Sequence, residues 1–515
     1  MSEDILAKIV RMRKADIERL GLNFGIEIPA TRRRGHVEFL GTPGAILEVK
    51  RASPSKGDIA PDLVPTELAT TYAEAHAQAI SVLTEGNFFK GSLRDLIAVA
   101  DLMEHRQQQG LHACAVLRKD FLLYEDEIDI AYRCGADAVL LIARILDDEQ
   151  LVKMAKRAQS FDMQAFVEVR EVDDLRKLKL VMDALGEKAA KTIVAGVNSR
   201  DLATFHTDPL VPAALRSSLP AKAVFESGIH SAADADYARS LGFTGILVGE
   251  AVAKKPTLAK DVVSAFESGC ENAKGKFWKK FAECRDVRRV VQASTSRGYR
   301  PMVKICGITR EEDGMLAAEL GADMLGFVFS KTKRLTTEGF VRDFAAKLRA
   351  SRSPESIPLL VGVITETDSP EGQAAIRLAQ EGILDAVQFH GIDPSKVGEP
   401  AEPTKNNYAR YYAARVGEAS DFEKVAALRT QGEPRILLDA KVEGIPGGTG
   451  KQIPESVLRA QTGDIPLWLA GGINPENAAA ICSKFAPELI DVSSGVEDAP
   501  GVKNAEKMEA LFSAL

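Results

Sequence analysis

The 515-residue sequence lacks most of what would mark a secreted, membrane or nucleic-acid-binding protein. Its six cysteines, Cys114, Cys134, Cys270, Cys284, Cys306 and Cys482, are scattered with no CxxC pair. That argues against a disulfide framework or a zinc site and fits a reducing cytoplasm. No apolar run approaches the roughly 20 residues of a membrane span. The N-terminus intersperses acids among its apolar positions, so it does not read as a signal peptide. Neither sign of charge dominates. We count 33 basic and 37 acidic residues through Pro256, then 33 and 36 after it. A nucleic-acid surface is therefore not expected. A glycine-rich stretch, GIPGGTGK at 444–451, lacks P-loop spacing and reads as a mobile loop.

What is present is a strand that ends in chemistry, twice. Ile46–Ser55 reads ILEVKRASPS, and Met302–Arg310 reads MVKICGITR. Residues at i and i+2 of a strand share a face. Glu48 therefore accompanies Lys50, and Lys304 accompanies Cys306. Charge at the end of an apolar strand is costly unless it opens into a polar pocket. In a parallel β/α barrel that pocket is the active site, at the C-terminal strand ends.

The rest of the chain repeats the scheme. Strands are predicted at 45–49, 79–83, 113–117, 138–142, 164–167, 192–197, 223–225 and 245–248. Eight more are predicted at 303–305, 324–329, 359–363, 386–389, 411–416, 435–438, 466–469 and 489–492. Helical patterns, as in Leu93–Gln108 and Asp148–Ser160, separate them. Alternating β and α with continuous Val/Ile/Leu strands predicts a parallel sheet with helices outside. The expected fold is α/β: two tandem (β/α)8 TIM barrels, at 1–270 and 301–515. Residues 1–40 look helical and form an N-terminal extension to the first. Residues 271–300 carry a basic excess, nine basic residues and two acids within 273–300. They read as a solvated connecting helix and linker in preference to an anion-binding patch.

In the first half, Glu48, Lys50, Lys119, Glu168, Asn198 and Glu226 all fall at or just past predicted strand ends. Six such residues on one barrel face are hard to explain as packing. Lysines and glutamates in one pocket supply acids and bases whose pKa values burial can drive apart. The seventh and eighth loops, with Ser227, Gly228, Gly249 and Glu250, occupy the place where barrels hold phosphate.

In the second half, Cys306 is either a small buried hydrophobe or a base. Lys304 beside it is expected to lower the thiol pKa. Asp439 ends the strand RILLD, where a carboxylate has no packing role. Thiolate and carboxylic acid together suit proton transfer beside a carbonyl or imine. Gln388 and His390 share a face, and that histidine is as easily structural as functional. Arg334 offers a planar fork for a carboxylate. LAGGINPEN and DVSSGVE supply the glycine turns after strands seven and eight.

The motifs ILEVKRASPSKG, SVLTE, LRKDF, GADAVLLIA, FVEV, GVNSRDL, FESGI and ILVGE resemble indole-3-glycerol-phosphate synthase. The resemblance implies closure of the indole ring of a carboxyphenylamino-deoxyribulose phosphate, with loss of CO2 and water. Lys119 would be the general acid and Glu168 the general base. Lys50 would pair with the anthranilate carboxylate, and Glu48 and Glu226 would orient the lysines. Asn198 and Arg200 would bind substrate. Ser53, Ser227, Gly228, Gly249 and Glu250 would line the phosphate site. Glu250 stands where many members carry serine. The stretch SPSKGDIA at 53–60 would be a first loop closing over the substrate.

KICGITR, GFVFSKTKR, VQFHG, LLDAKVEGIPGGTGK, LAGGINPENA and DVSSGVE resemble phosphoribosylanthranilate isomerase. That implies an Amadori rearrangement, with Cys306 as base and Asp439 as acid. Arg334 would bind the anthranilate carboxylate, with Gln388 and His390 also on the substrate. Gly471, Gly472, Ser494 and Gly495 would hold the phosphate. Thr365 and a stretch at 399–407 depart from the family pattern without touching a catalytic position. One chain would then run two consecutive tryptophan-pathway steps, without cofactor or metal, as a cytoplasmic monomer. The alternatives are a catalytically dead phosphosugar-sensing half and a different phosphosugar enzyme.

Overall fold

The computed structural model describes residues 5–201, 204–293, 300–392, 408–441, 452–459 and 466–515. The chain divides into two compact units, Met1–Glu271 and Asn272–Leu515. Among the described residues, no helix is long and apolar enough to cross a membrane.

The first unit is a closed barrel of eight parallel strands. They are β1 (Gly44–Val49), β2 (Ala79–Leu83), β3 (Ala115–Lys119) and β4 (Ala138–Ile142). β5 (Gln164–Val169), β6 (Ile193–Asn198), β7 (Ala223–Glu226) and β8 (Gly245–Val248) follow. Each pairs with its neighbour, and β8 closes on β1 through Leu47 opposite Val248. Alternate residues point inward. Ile46, Leu117, Leu140, Phe166, Val194, Val224 and Leu247 fill the barrel as one buried cluster. Two residues further along, the same inward face carries Glu48, Lys119, Glu168 and Glu226.

The helices are set by caps and apolar spacing. Asp148–Ser160 begins where the Asp147 carboxylate accepts the Gln150 N–H, and it buries Leu151, Met154, Ala155 and Ala158. That i, i+3, i+4, i+7 pattern is one face of a helix. Among the described residues of the N-terminal extension, the helix spans Ile5–Leu20. Gly21 and Gly25, both at positive φ, end the helical path expected to continue to residue 40. The helix is held by Arg13, buried and bonded to Asp120 at 2.5 Å and to Glu127.

The second unit repeats the closed barrel. Its strands are β9 (Met302–Cys306), β10 (Met324–Val328), β11 (Leu359–Ile364) and β12 (Ala386–His390). β13 (Arg410–Val416), β14 (Ile436–Ala440), β15 (Trp468–Ala470) and β16 (Leu489–Val492) complete it. All sixteen expected strands are present. The main shift is at β3, which runs two residues later than expected and so carries Lys119 within the strand. The stretches 399–407 and 444–451 lie outside the described residues.

The connecting helix expected in 271–300 is present, but it is packed on one face and not simply solvated. Ala273–Ala293 is a helix belonging to the second unit. Phe277, Trp278, Phe281 and Ala282 are buried. Trp278 packs on Trp468, ring centroids 5.7 Å apart, and on Tyr411. Its basic residues meet acids that immediately precede barrel strands. Lys280 reaches Asp385 (3.2 Å), Arg285 reaches Glu488 (3.2 Å) and Arg288 reaches Asp323. The helix thus covers the N-terminal end of the barrel. Lys280, Arg285 and Arg288 are therefore neutralised by carboxylates and do not contribute to an anion patch.

The boundary between foldable pieces therefore lies near residue 271. A fragment 272–515 is expected to be soluble and cooperatively folded. A fragment 296–515 strips the aromatic cover from Trp468 and Tyr411, and losing Trp278 alone costs about 3–5 kcal/mol. Thermal unfolding and gel filtration of the two fragments check this. Equal stability would mean that the helix is dispensable.

Candidate active sites

The first cleft opens at the C-terminal ends of β1–β8. It is lined by Glu48, Lys50, Ser53, Lys119, Glu168, Asn198, Arg200, Ser227, Gly228, Gly249 and Glu250. These are the residues singled out in the sequence, with one exception. Glu226 stands behind the lining and holds Lys119, its Oε2 accepting from Nζ at 2.9 Å. Lys119 Nζ is also 3.6 Å from Glu48 Oε2, and Lys50 Nζ is 3.2 Å from Glu48 Oε1. Glycine makes room for this. A Cβ at Gly196 would sit 2.3 Å from Glu226 Oε1, and one at Gly249 would sit 2.5 Å from Glu48 Oε1.

The electrostatics follow from counting charges. Burial works against the Lys119 ammonium, but Glu226, Glu48 and Glu168 outweigh it and raise its pKa. Burial likewise opposes the Glu48 carboxylate, yet Lys50 and Lys119 hold it below its ordinary value. Glu168 has less help. Burial and the charge of Glu226 push it up to about 8, against Lys119 and an Asn198 hydrogen bond. Burial also raises Glu226, despite Lys119. The cleft therefore contains a lysine that keeps its proton and a carboxyl that exchanges one near neutrality.

An apolar wall missed in the sequence completes the cleft. Ile5, Leu6 and Ile9 of the N-terminal helix face it, with Phe89, Phe121, Leu140 and Ile142. Lys50 Nζ lies over the Phe89 ring, 5.4 Å from its centroid. Apolar residues outside strands give no local signal that they face a ligand. In the loop after β7, Ser227 and Gly228 both take positive φ, turning the chain sharply. The stretch 53–60 folds as a small hairpin, Ala52–Ser53 against Gly57–Asp58. Its Lys56 pairs with Glu250 at 2.9 Å, and Lys254 pairs with the same oxygen at 2.8 Å. Burial opposes the Glu250 carboxylate, but both lysines outweigh it and lower its pKa to about 2. Glu250 is thus an anion whose side chain is engaged by two cations.

The second cleft brings together Cys306, Arg334, Gln388, His390, Asp439, Gly471, Gly472 and Ser494. Gly495 does not line it. A Cβ there would sit 1.9 Å from the Ile473 carbonyl, so this glycine lets the turns after β15 and β16 pack together. Asp439 Oδ1 accepts the Ala440 N–H at 2.9 Å, and its Oδ2 lies 3.3 Å from His390 Nε2. Arg334 lines the cleft but already grips a carboxylate, donating Nη2 to Glu497 Oε2 at 2.7 Å and Nε to Oε1 at 3.0 Å.

The expectation for the thiol is reversed. Burial raises the Cys306 pKa above its ordinary value, and Lys304, Lys503 and Arg334 do not offset it. Lys304 is spent elsewhere. Fully buried, its Nζ lies 2.6 Å from Asp491 Oδ2 and 2.6 Å from Gln388 Oε1. The ion pair leaves little net charge to favour a thiolate.

Asp491, Thr365, Glu497 and Lys503 escaped the sequence analysis as site residues. Asp491 lines the cleft with Oδ1 buried and unpartnered. It is the penultimate residue of the apolar strand LIDV, a polar group near a strand end like Asp439. Thr365, noted only as a departure, lines the cleft and bonds Ser330 at 3.1 Å. Lys503 donates to Glu497 at 2.9 Å and to the carbonyls of Cys306 and Ser493. It comes from beyond the last barrel strand, where no strand-end rule applies.

Comparison with known proteins agrees with this geometry. The family model for indole-3-glycerol phosphate synthase matches residues 8–264, and that for N-(5'phosphoribosyl)anthranilate (PRA) isomerase matches residues 303–514. A multifunctional tryptophan biosynthesis protein of Schizosaccharomyces pombe is 31% identical over 92% of this chain. The alignment covers 59% of that protein, so the chain spans about three-fifths of that relative. Tryptophan biosynthesis protein TRP1 of Phytophthora nicotianae is 30% identical, over 88% of this chain and 87% of its own. An indole-3-glycerol phosphate synthase of Roseiflexus sp. is 36% identical over 50% of this chain and 97% of its own. The chain belongs to the indole-3-glycerol phosphate synthase family in its first barrel and to the PRA isomerase family in its second.

Proposed function

We propose that the chain catalyses two consecutive steps of tryptophan biosynthesis, one in each barrel. The second isomerises N-(5-phosphoribosyl)anthranilate to carboxyphenylamino-deoxyribulose phosphate. The first closes that product to indole-3-glycerol phosphate with loss of CO2 and water. The observation that carries the reading is that Lys119 and Glu168 line one cleft and Cys306 and Asp439 line the other, which supports a proton-transfer pair in each. A sensing module needs phosphate contacts but no such pair, so two enzymes are favoured over one enzyme and a dead half. Among the described residues, neither cleft is lined by a residue of the other unit, which is compatible with a monomer. A base that must remain a free thiol suits a reducing cytoplasm.

In the isomerase, Asp439 gives its proton to the ribose ring oxygen. The C1′–O bond breaks as the anilino nitrogen lone pair forms C1′=N. Cys306, as thiolate, then takes the C2′ proton, and the enolamine collapses to the aminoketone. In the synthase, Lys119 protonates the substrate carbonyl as the anthranilate ring carbon attacks it. CO2 leaves from that ring carbon, the hydroxyl departs as water with a second proton from the Lys50 ammonium, and Glu168 accepts the proton that C1′ loses as the indole double bond forms. Lys50 over Phe89 would meet the anthranilate carboxylate.

Glu168 must be ionised to act as base, and its pKa of about 8 means that it holds its proton at lower pH. Synthase kcat/KM should therefore climb with pH up to about 8, with the fall governed by Lys119 far to the alkaline side. Glu168→Gln should flatten the climb, and Lys119→Ala should lower the rate by about 10²–10⁴-fold. A pH-independent rate between pH 6 and 9 in the unaltered chain would remove Glu168 as base.

Cys306→Ala and Asp439→Asn should each abolish isomerisation and leave the synthase untouched. Because burial raises the thiol, isomerase kcat/KM should keep rising above the pH of an ordinary thiol. Assaying each half-reaction separately decides this, and full isomerase activity in Cys306→Ala would return that residue to packing. Glu250→Ser should free Lys56 and Lys254 for the substrate phosphate and lower the synthase KM by about two- to fivefold. An increase in KM would assign the Glu250 side chain a direct substrate contact.

A further inference from the structure

Building on the isomerase reading of the second cleft, we infer that Gln388 dictates the tautomer of His390 and so holds a neutral imidazole N–H against Asp439. One group in this chain of contacts cannot switch roles. The Lys304 ammonium has three donors and no acceptor. Its Nζ lies 2.6 Å from the oxygen of the Gln388 amide and 2.6 Å from Asp491 Oδ2. The Tyr411 hydroxyl donates to the same amide oxygen at 2.9 Å. With Lys304 fully buried and tied to Asp491, the amide cannot flip without setting NH2 against an ammonium.

The other end of the amide is thereby fixed as NH2. It lies 3.2 Å from His390 Nδ1. An NH2 group only donates, so Nδ1 must present its lone pair, and the ring hydrogen sits on Nε2. Nε2 is buried, 3.3 Å from Asp439 Oδ2, and not aligned in a hydrogen bond. The result is a donor held beside the acid before substrate arrives. Once Asp439 has given its proton to the ring oxygen, its new carboxylate faces this N–H and the Ala440 N–H already on Oδ1. His390 transfers no proton in this scheme. It and Gln388 are positioning residues, and the buried Lys304–Asp491 pair is the reference that orients both.

The test is made on the whole chain with 15N-labelled histidine. The chain has seven histidines, and the His390 signals are identified by their loss in His390→Asn. In the unaltered protein near neutral pH, the His390 ring should carry its hydrogen on Nε2, with Nδ1 bare. Gln388→Leu should let the tautomers mix and lower isomerase kcat by about 10–100-fold, the range for losing a group that orients another. KM should change little. Gln388→Glu places an acceptor against Nδ1 and should draw a hydrogen onto it, with a similar loss in kcat. Synthase turnover should be unchanged in both. An Nδ1–H ring or an imidazolium in the unaltered chain would overturn the assignment without recourse to any variant. So would an unchanged tautomer in Gln388→Leu. If the Nε2–H form is found in a chain that does not isomerise, the tautomer assignment stands and the role given to Asp439 falls with the isomerase reading.

Discussion

A lysine ammonium inside a barrel is the constraint on which both sites depend. Removing such a charge from water is affordable only with carboxylates placed opposite it. Each barrel meets the demand differently, and the difference sets its chemistry. Lys119 and Lys50 face Glu48, Glu168 and Glu226, so carboxylates outnumber cations and one of them retains a proton near neutrality. Lys304 faces Asp491 alone, with Gln388 taking a second hydrogen bond. That pair is balanced, so little charge remains to stabilise the thiolate of Cys306, and burial prevails.

Close approach of backbone is the second requirement. The carboxylates fit only because inward positions opposite them carry no side chain. Gly196 and Gly249 leave space for Glu226 and Glu48, and Gly326 leaves space for the sulfur of Cys306, 2.7 Å from where a Cβ would be. These glycines lie within or immediately after strands, where a turn does not explain them. Their positions are set by the side chains that they admit.

The two ends of the second barrel show a division of labour. The C-terminal ends of the strands carry the cleft. The N-terminal ends are closed by the helix Ala273–Ala293, through aromatic packing on Trp468 and Tyr411 and ion pairs to Asp323, Asp385 and Glu488. Tyr411 belongs to both layers. Its ring packs against Trp278, and its hydroxyl bonds Gln388 below the catalytic groups.

The sequence by itself determined the strands, the barrel class and most of the cleft, because strand periodicity puts i and i+2 on one face. Glu48, Lys119, Glu168, Cys306 and Asp439 were all legible as polar endings of apolar strands. The same rule reaches Asp491, the penultimate residue of the strand LIDV, although it was not applied there. Tertiary structure alone decided the rest. The thiol is raised first by its burial in the closed barrel, and Asp491, paired with Lys304 nearly 190 residues away in the chain, adds to that rise. The basic helix gained partners that no local pattern shows, and Ile5, Leu6 and Ile9 became cleft wall through an ion pair at Arg13. Periodicity specifies which way a side chain points. Only closure of the barrel specifies what stands opposite, and charge state follows from what stands opposite.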